Sequence, residues 1–91
     1  MNAEERMSEI RLRLEREFSP ESLLLEDQGH LHAGHEGARD GRGHFRVMIV
    51  SDSFNGLNMV SRHRAIYRQM GELMESDIHA LAIEAIAGDE I

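Results

Sequence analysis

Several histidines could bind metal in this chain, which contains no cysteine. Three lie in one glycine-rich stretch, at His30, His32 and His35, and His79 lies in a short apolar run near the C-terminus. Imidazole is the commonest metal-ligating side chain, and it is the one whose unperturbed pKa lies near neutral pH. Because iron–sulfur clusters normally need thiolate ligands, such a cluster would have to take its sulfur ligands from a partner.

A second group of candidate side chains lies on one predicted helix. Arg62, Arg64 and Arg68 form a local basic cluster, and His63 lies between the first two. On a helix Arg64 and Arg68 project together, while Arg62 points about 160° away from Arg64. The arginines are either a solvated helix face or a small contact surface for nucleic acid. His63 shares the apolar stripe of the helix and is predicted to be a structural core histidine.

Length and composition restrict the class of protein. A chain of 91 residues, 41% hydrophobic and 30% charged, is typical of one globular domain spanning residues 1–91. The net charge of −7 disfavours non-specific binding to nucleic acid. No apolar run approaches the ~20 residues of a membrane span, and the N-terminus lacks a secretory signal, so we expect a cytoplasmic protein. The motifs HExxH, GxSxG and the P-loop are missing from the sequence, so we expect no enzymatic activity.

Hydrophobic periodicity predicts the elements that must position these residues. Asn2 and Glu5 resemble a capping box in front of an amphipathic helix. Residues 28–43 are rich in glycine and poor in core-forming residues, which predicts a mobile functional loop. Residues 78–85 are predicted as a strand, although residues 80–87 also fit a helix. The predicted order is a helix at 3–18, strands at 23–25 and 44–50, a helix at 58–75 and a strand at 78–85.

The order of the elements predicts an α+β sandwich. The first two strands should be antiparallel, and a right-handed crossover through the second helix should make the third strand parallel to the second. Two helices then cover one face of a three-stranded mixed sheet. The apolar stripe predicted for the second helix consists of Met59, His63, Ile66, Met70 and Leu73, widened by Val60, Tyr67 and Met74.

The order and spacing of several motifs resemble a known family. They are His44-Phe45-Arg46-Val47, Phe54-Asn55-Gly56, Arg62-His63-Arg64 and Ile78-His79-Ala80-Leu81, together with His32-Ala33-Gly34-His35 in the loop. Over nearly its whole length the chain resembles the BolA-like family. The resemblance implies an αββαβ fold similar to class II KH domains. It also implies a monothiol glutaredoxin partner and a bridging 2Fe-2S cluster, shared with that glutaredoxin and glutathione only in the complex.

The same resemblance implies the site residues. His79 matches the histidine of the family's His-Ala-Leu segment, and His32 matches its loop ligand, with His30 and His35 as alternatives. We therefore expect an adaptor in iron–sulfur trafficking or iron and redox regulation, monomeric or weakly dimeric when free. A DNA-binding transcriptional regulator that uses the second helix is the competing hypothesis. A zinc module built from the loop histidines alone is a third.

Overall fold

The computed structural model describes residues 1–29 and 41–91, and the α+β architecture predicted from the sequence is confirmed. Within those residues, no helix has both the length and the apolar character needed to cross a membrane. Short 3-10 turns follow the second and third strands, at Asp52–Phe54 and Gly88–Glu90. The elements are α1 (Ala3–Phe18), β1 (Ser22–Asp27), β2 (Gly43–Ser51), α2 (Met59–Met70), α3 (Leu73–Ser76) and β3 (Ile78–Ala87).

The sheet is mixed and its strands lie in the order β1-β2-β3. Strand β1 pairs with β2 in the antiparallel sense, and β2 pairs with β3 in the parallel sense, as the crossover rule predicts. The helical alternative for residues 80–87 is wrong, because β3 continues to Ala87 along the whole length of β2. The parallel pairing brings the N-terminal ends of β2 and β3 side by side.

Helix α1 begins where the capping signal predicts. The Asn2 side chain accepts a hydrogen bond from the Glu5 backbone at 2.8 Å, and Glu5 accepts one from the Asn2 backbone at 2.9 Å. These reciprocal bonds satisfy two amide groups that the first helical turn leaves without partners. The helix ends at Ser19, whose backbone is left-handed, before Pro20.

One continuous core joins both long helices to a single face of the sheet. Strand residues two apart share a face, so Phe45, Val47 and Ile49 of β2 point to the same side. They are buried there against the inward stripes of α1 and α2. The main core side chains are Ile10, Leu14, Phe18, Leu25, Phe45, Val47, Ile49, Phe54, Ile66, Met70, Leu73, Ile78 and Leu81.

The second helix is shorter than predicted. Helix α2 ends at Met70, and α3 resumes at Leu73 after a break at Gly71. The backbone φ of Gly71 is +51°, a left-handed value that glycine adopts at little cost. The single helix predicted over residues 58–75 is therefore wrong at its C-terminal end.

The predicted apolar stripe of the second helix is confirmed at Ile66, Met70 and Leu73, which are buried, and is wrong at other positions. Met59 and Val60 are 55% and 58% exposed, Tyr67 is exposed, and His63 is only partly buried rather than a core residue. Arg62 takes the inward position instead, in line with Ile66 and Met70. The pattern assigned arginine to solvent, but a long side chain can bury its stem when hydrogen-bond acceptors satisfy its guanidinium.

Candidate functional site

His79 lies at an irregularity in the pairing of β3 with β2. Gly43 pairs with Ile78, but the next residue of β2, His44, pairs with Ala80. His79 is therefore an extra residue on β3, as in a β-bulge, which commonly re-aims a side chain. Ile78 directly before it and Leu81 two residues after it are buried in the core, whereas His79 and Ala80 are exposed. The bulge anchors the strand on both sides of an accessible imidazole.

The segment that contains the loop histidines starts and ends beside this bulge. The Gln28 amide donates to the His44 carbonyl at 2.7 Å, and the Gly43 amide donates to the Asp77 carbonyl at 2.8 Å. Both ends of the β1–β2 connection thus lie at the end of the sheet where β3 begins. The three loop candidates, His30, His32 and His35, lie outside the described residues, as does most of the predicted mobile loop. Their approach to His79 stays a prediction.

Two further side chains, Arg42 and His44, contact His79. Arg42 Nη2 lies 3.0 Å from His79 Nδ1, and Arg42 Nη1 donates to the Met74 carbonyl at 3.3 Å. The His44 ring lies 5.0 Å from the His79 ring, centroid to centroid, at an interplanar angle of 45°. His44 is only 7% exposed, and both of its ring nitrogens are buried. The imidazole of His79 therefore contacts both a guanidinium and a second imidazole.

The turn that leads into His79 is fixed by ionic contacts. Arg6 of α1 donates from Nε to Asp77 Oδ1 at 3.1 Å and from Nη2 to the Gly41 carbonyl at 2.7 Å. The Ser76 hydroxyl donates to the other Asp77 oxygen at 2.8 Å. The Ser76 hydroxyl, with the Arg6 guanidinium, lowers the pKa of Asp77, because both stabilise the carboxylate. The first helix thus helps to set the position at which β3 begins.

The donor chemistry near His79 limits what the described residues can bind. Among residues 1–29 and 41–91, no three or more histidine and carboxylate side chains are grouped closely enough to hold a metal ion. His79 is nevertheless exposed, and imidazole is a common ligand of iron and zinc. The described residues could therefore contribute the imidazole of His79 to a metal site, but they do not form a complete site by themselves.

The basic cluster of α2 divides into two parts. Arg64 and Arg68 are exposed and lie on the same side of the helix, as predicted. Arg62 is 5% exposed, and its guanidinium donates to two backbone carbonyls and to Glu90. Arg62 therefore does not belong to a solvated basic face, and its prediction as a nucleic-acid contact is corrected to a structural role.

Sequence reasoning did not identify Arg42 or His44 as neighbours of His79. Their proximity follows from the parallel pairing of β2 with β3, which places the first residues of both strands together. The sequence did contain a signal for the contact between His44 and His79. The predicted crossover made the two strands parallel, and each predicted strand has a histidine among its first two residues. The contact with Arg42 depends on side-chain conformation and had no sequence signal.

The chain matches known proteins along most of its length. Residues 14–90 match the family model of the BolA-like protein family. The chain is 42% identical over 83 residues to chloroplastic protein BOLA1 of Arabidopsis thaliana, covering 88% of this chain and 52% of that protein. It is 35% identical over 81 residues to the DNA-binding transcriptional regulator BolA of Haemophilus influenzae, covering 89% of this chain and 76% of that protein. The chain thus spans about half the length of its chloroplastic relative.

A solved structure agrees with these matches. The BolA domain of SufE1 from Arabidopsis thaliana superposes with a TM-score of 0.84 at 39% sequence identity. The superposition covers 100% of this chain and 99% of that one, so no described element is left without a counterpart. Family model, sequence relatives and fold agree: the chain belongs to the BolA-like protein family.

Proposed function

We propose that this protein is an adaptor that binds a monothiol glutaredoxin and contributes two histidines to a bridging 2Fe-2S cluster. His79 is one ligand, and His32 is the other, with His30 and His35 as its alternatives. The complex serves iron–sulfur cluster trafficking or iron and redox regulation. The observation that carries the proposal is the exposed imidazole of His79. It lies in a bulge at the end of the sheet where the β1–β2 connection leaves β1 and enters β2.

The composition of the chain supports a shared cluster. The chain contains no cysteine, so thiolate ligands come from the glutaredoxin and its bound glutathione. Replacing thiolate by neutral imidazole raises the reduction potential of a cluster, as in Rieske centres. This chain's own contribution is then to bind the partner, to offer nitrogen ligands and to change the redox properties of the bound group.

The test is a titration of cluster-loaded glutaredoxin with this protein, followed by visible absorption and circular dichroism. The wild type is expected to form a one-to-one complex with an altered spectrum. His79→Ala should bind without that spectral change, because it removes the exposed ligand and leaves the core intact. His63→Ala on α2 is the matched control and should behave as the wild type. An unchanged spectrum with His79→Ala contradicts the ligand assignment.

The loop ligand is tested in the same titration. His32→Ala should shorten the lifetime of the cluster in the complex more than His30→Ala or His35→Ala. Equal losses from all three substitutions would indicate a diffuse metal-binding tract and would favour the zinc-module hypothesis. In that case zinc should bind to the protein without any glutaredoxin present.

A DNA-binding regulator is the second candidate function. The Haemophilus influenzae relative carries that description, and Arg64 and Arg68 are exposed side by side on α2. Two observations disfavour this function. The net charge of −7 repels a polyanion, and Arg62 is buried and so adds nothing to the basic surface. Binding to a labelled duplex that is abolished by Arg64→Ala and unaffected by His79→Ala would favour the regulator.

Three broader expectations belong to this proposal. They are the absence of enzymatic activity, a cytoplasmic location, and a free state that is monomeric or weakly dimeric. Sedimentation of the purified protein across a concentration series tests the last. Two relatives are described as chloroplastic or as chloroplastic and mitochondrial, so the location needs imaging of the tagged protein in its own host.

A further inference from the structure

The contact between Arg42 and His79 determines which ring nitrogen of His79 carries a proton. Arg42 Nη2 and His79 Nδ1 lie 3.0 Å apart, within hydrogen-bond distance. A guanidinium has five N–H donors and no acceptor, and it stays protonated in proteins. Arginine must therefore donate, and Nδ1 must accept through its lone pair. In the neutral ring the proton then lies on Nε2.

This protonation pattern opposes metal binding. In a neutral imidazole only the unprotonated nitrogen has an in-plane lone pair, so Nδ1 cannot bind a metal while it accepts from Arg42. A neutral imidazole that binds metal through Nε2 must carry its proton on Nδ1, where Arg42 can no longer donate. For either nitrogen of a neutral His79, the hydrogen bond from Arg42 and a bond to metal exclude each other.

Neighbouring elements position Arg42 beside Nδ1 of His79. Its other terminal nitrogen donates to the Met74 carbonyl, in the last turn of α3. Arg42 also directly precedes β2, and the amide of the next residue, Gly43, is bonded to the Asp77 carbonyl. His79 itself is backed by the buried ring of His44. Both partners in the contact are thus anchored by the ends of β2, α3 and β3.

We propose that Arg42 is a cap on His79, which weakens metal binding by this imidazole in the free protein and must release it before ligation. The cap regulates the ligand of the function proposed above and rests on that function for its biological role. It weakens metal binding at His79 in the free protein and couples capture of the metal group to displacement of Arg42. Arg42 is accordingly a positioning residue that acts through His79.

The cap is tested on the protein alone, by NMR of protein labelled with nitrogen-15 in its histidine rings. At a pH where histidines are neutral, wild-type His79 is expected to show a protonated Nε2 and a hydrogen-bonded, unprotonated Nδ1. Arg42→Ala should shift the Nδ1 signal and introduce the other tautomer. Arg42→Lys, which keeps a cationic donor, should return the signals toward the wild type. A proton on wild-type Nδ1, or identical spectra for wild type and Arg42→Ala, overturns the proposal.

Competition with metal is tested by adding Zn²⁺ and following the ring signals of His79, with the signals of His63 as an internal reference. Arg42→Ala should reduce the zinc concentration needed for half the change at His79 by roughly fivefold, the order expected for one typical protein hydrogen bond. Arg42→Lys should need a concentration close to that of the wild type. Weaker zinc binding by Arg42→Ala would show that Arg42 supports ligation, as with an imidazolate, and would overturn the cap.

A parallel titration with cluster-loaded glutaredoxin separates the cap from the proposed function. If the cap operates there, Arg42→Ala forms the complex at lower concentration, while both proteins bind the cluster-free glutaredoxin equally. A wild type that never gives the altered spectrum refutes the shared cluster, and the zinc titration still decides the cap. A different result is that the wild type gives the altered spectrum while Arg42→Ala changes neither the zinc titration nor the titration with cluster-loaded glutaredoxin. That result refutes the cap and leaves the shared cluster standing.

Discussion

The guanidinium of Arg62 donates a hydrogen bond to the Glu90 carboxylate at 2.7 Å and joins helix α2 to the last turn of the chain. The same guanidinium donates to the carbonyls of Leu57 and Ala85 at 2.9 and 3.0 Å. Glu90 also accepts from the Ala87 amide at 2.8 Å, where β3 ends. One buried arginine thus connects the start of α2, the end of β3 and the C-terminal 3-10 turn.

We predict that Arg62→Met lowers the stability of the protein, because the Ala85 carbonyl loses its charged donor in a buried position. Urea unfolding followed by circular dichroism measures the effect, with the exposed Arg64→Met as the matched control. Arg62 lowers the pKa of Glu90, so the contribution of that carboxylate is present above the ordinary glutamate pKa. This contribution to the free energy of unfolding should be lost as the pH falls through the lowered pKa of Glu90. Equal stability of the two variants would contradict the structural role.

Glu21 gives the opposite dependence on pH. A hydrogen bond to the Asp52 side chain and repulsion from its charge raise the pKa of Glu21 above the ordinary value. The ionised Glu21 side chain is therefore less favourable in the folded state than in the unfolded state, so Glu21→Gln should increase the free energy of unfolding at neutral pH. The gain should fade as the pH falls through the raised pKa, where the wild type also becomes protonated. Denaturation across a pH series, with the exposed Glu17→Gln as the control, tests this sign.

The orientation of α2 is tested by two substitutions that remove similar apolar groups. Ile66 is completely buried, and Ile66→Ala should reduce the free energy of unfolding by about 2–5 kcal/mol. Val60 is 58% exposed, and Val60→Ala should change it by no more than about 0.5 kcal/mol. Chemical denaturation measures both. A large loss of unfolding free energy from Val60→Ala would indicate that Val60 is buried, as the apolar stripe predicted from the sequence implies.

Binding to DNA is expected to be weak or absent near physiological ionic strength. Arg64 and Arg68 are the exposed pair on α2, and two phosphate contacts correspond to a slope of about −2 when log affinity is plotted against log salt. Titration of a labelled duplex at two salt concentrations gives this slope, with Arg64→Ala and Arg68→Ala as variants. Tight, sequence-selective binding that both variants abolish would favour a regulator over an adaptor.

The sequence by itself determined the order of elements and the candidate ligand. The position of helix α1 could be predicted from the sequence. The capping box of Asn2 and Glu5 and the spacing of the apolar residues in the helix depend only on residues close in the chain. Motif spacing identified the family and singled out His79. The predicted crossover gave the parallel pairing of β2 with β3, because a helix that connects two strands of one sheet returns the chain to the end at which the first strand began.

Tertiary structure decided what depends on contacts between distant segments. The break of the second helix at Gly71 and the inward turn of Arg62 follow from packing and from carbonyls supplied by other elements. Periodicity treats arginine as a surface residue, so it could not place one in the core. The bulge that exposes His79, and the guanidinium of Arg42 on its Nδ1, likewise exist only once β2 and β3 lie side by side. The sequence alone identifies the imidazole of His79, whereas its exposure and its contact with Arg42 depend on the pairing of β2 with β3.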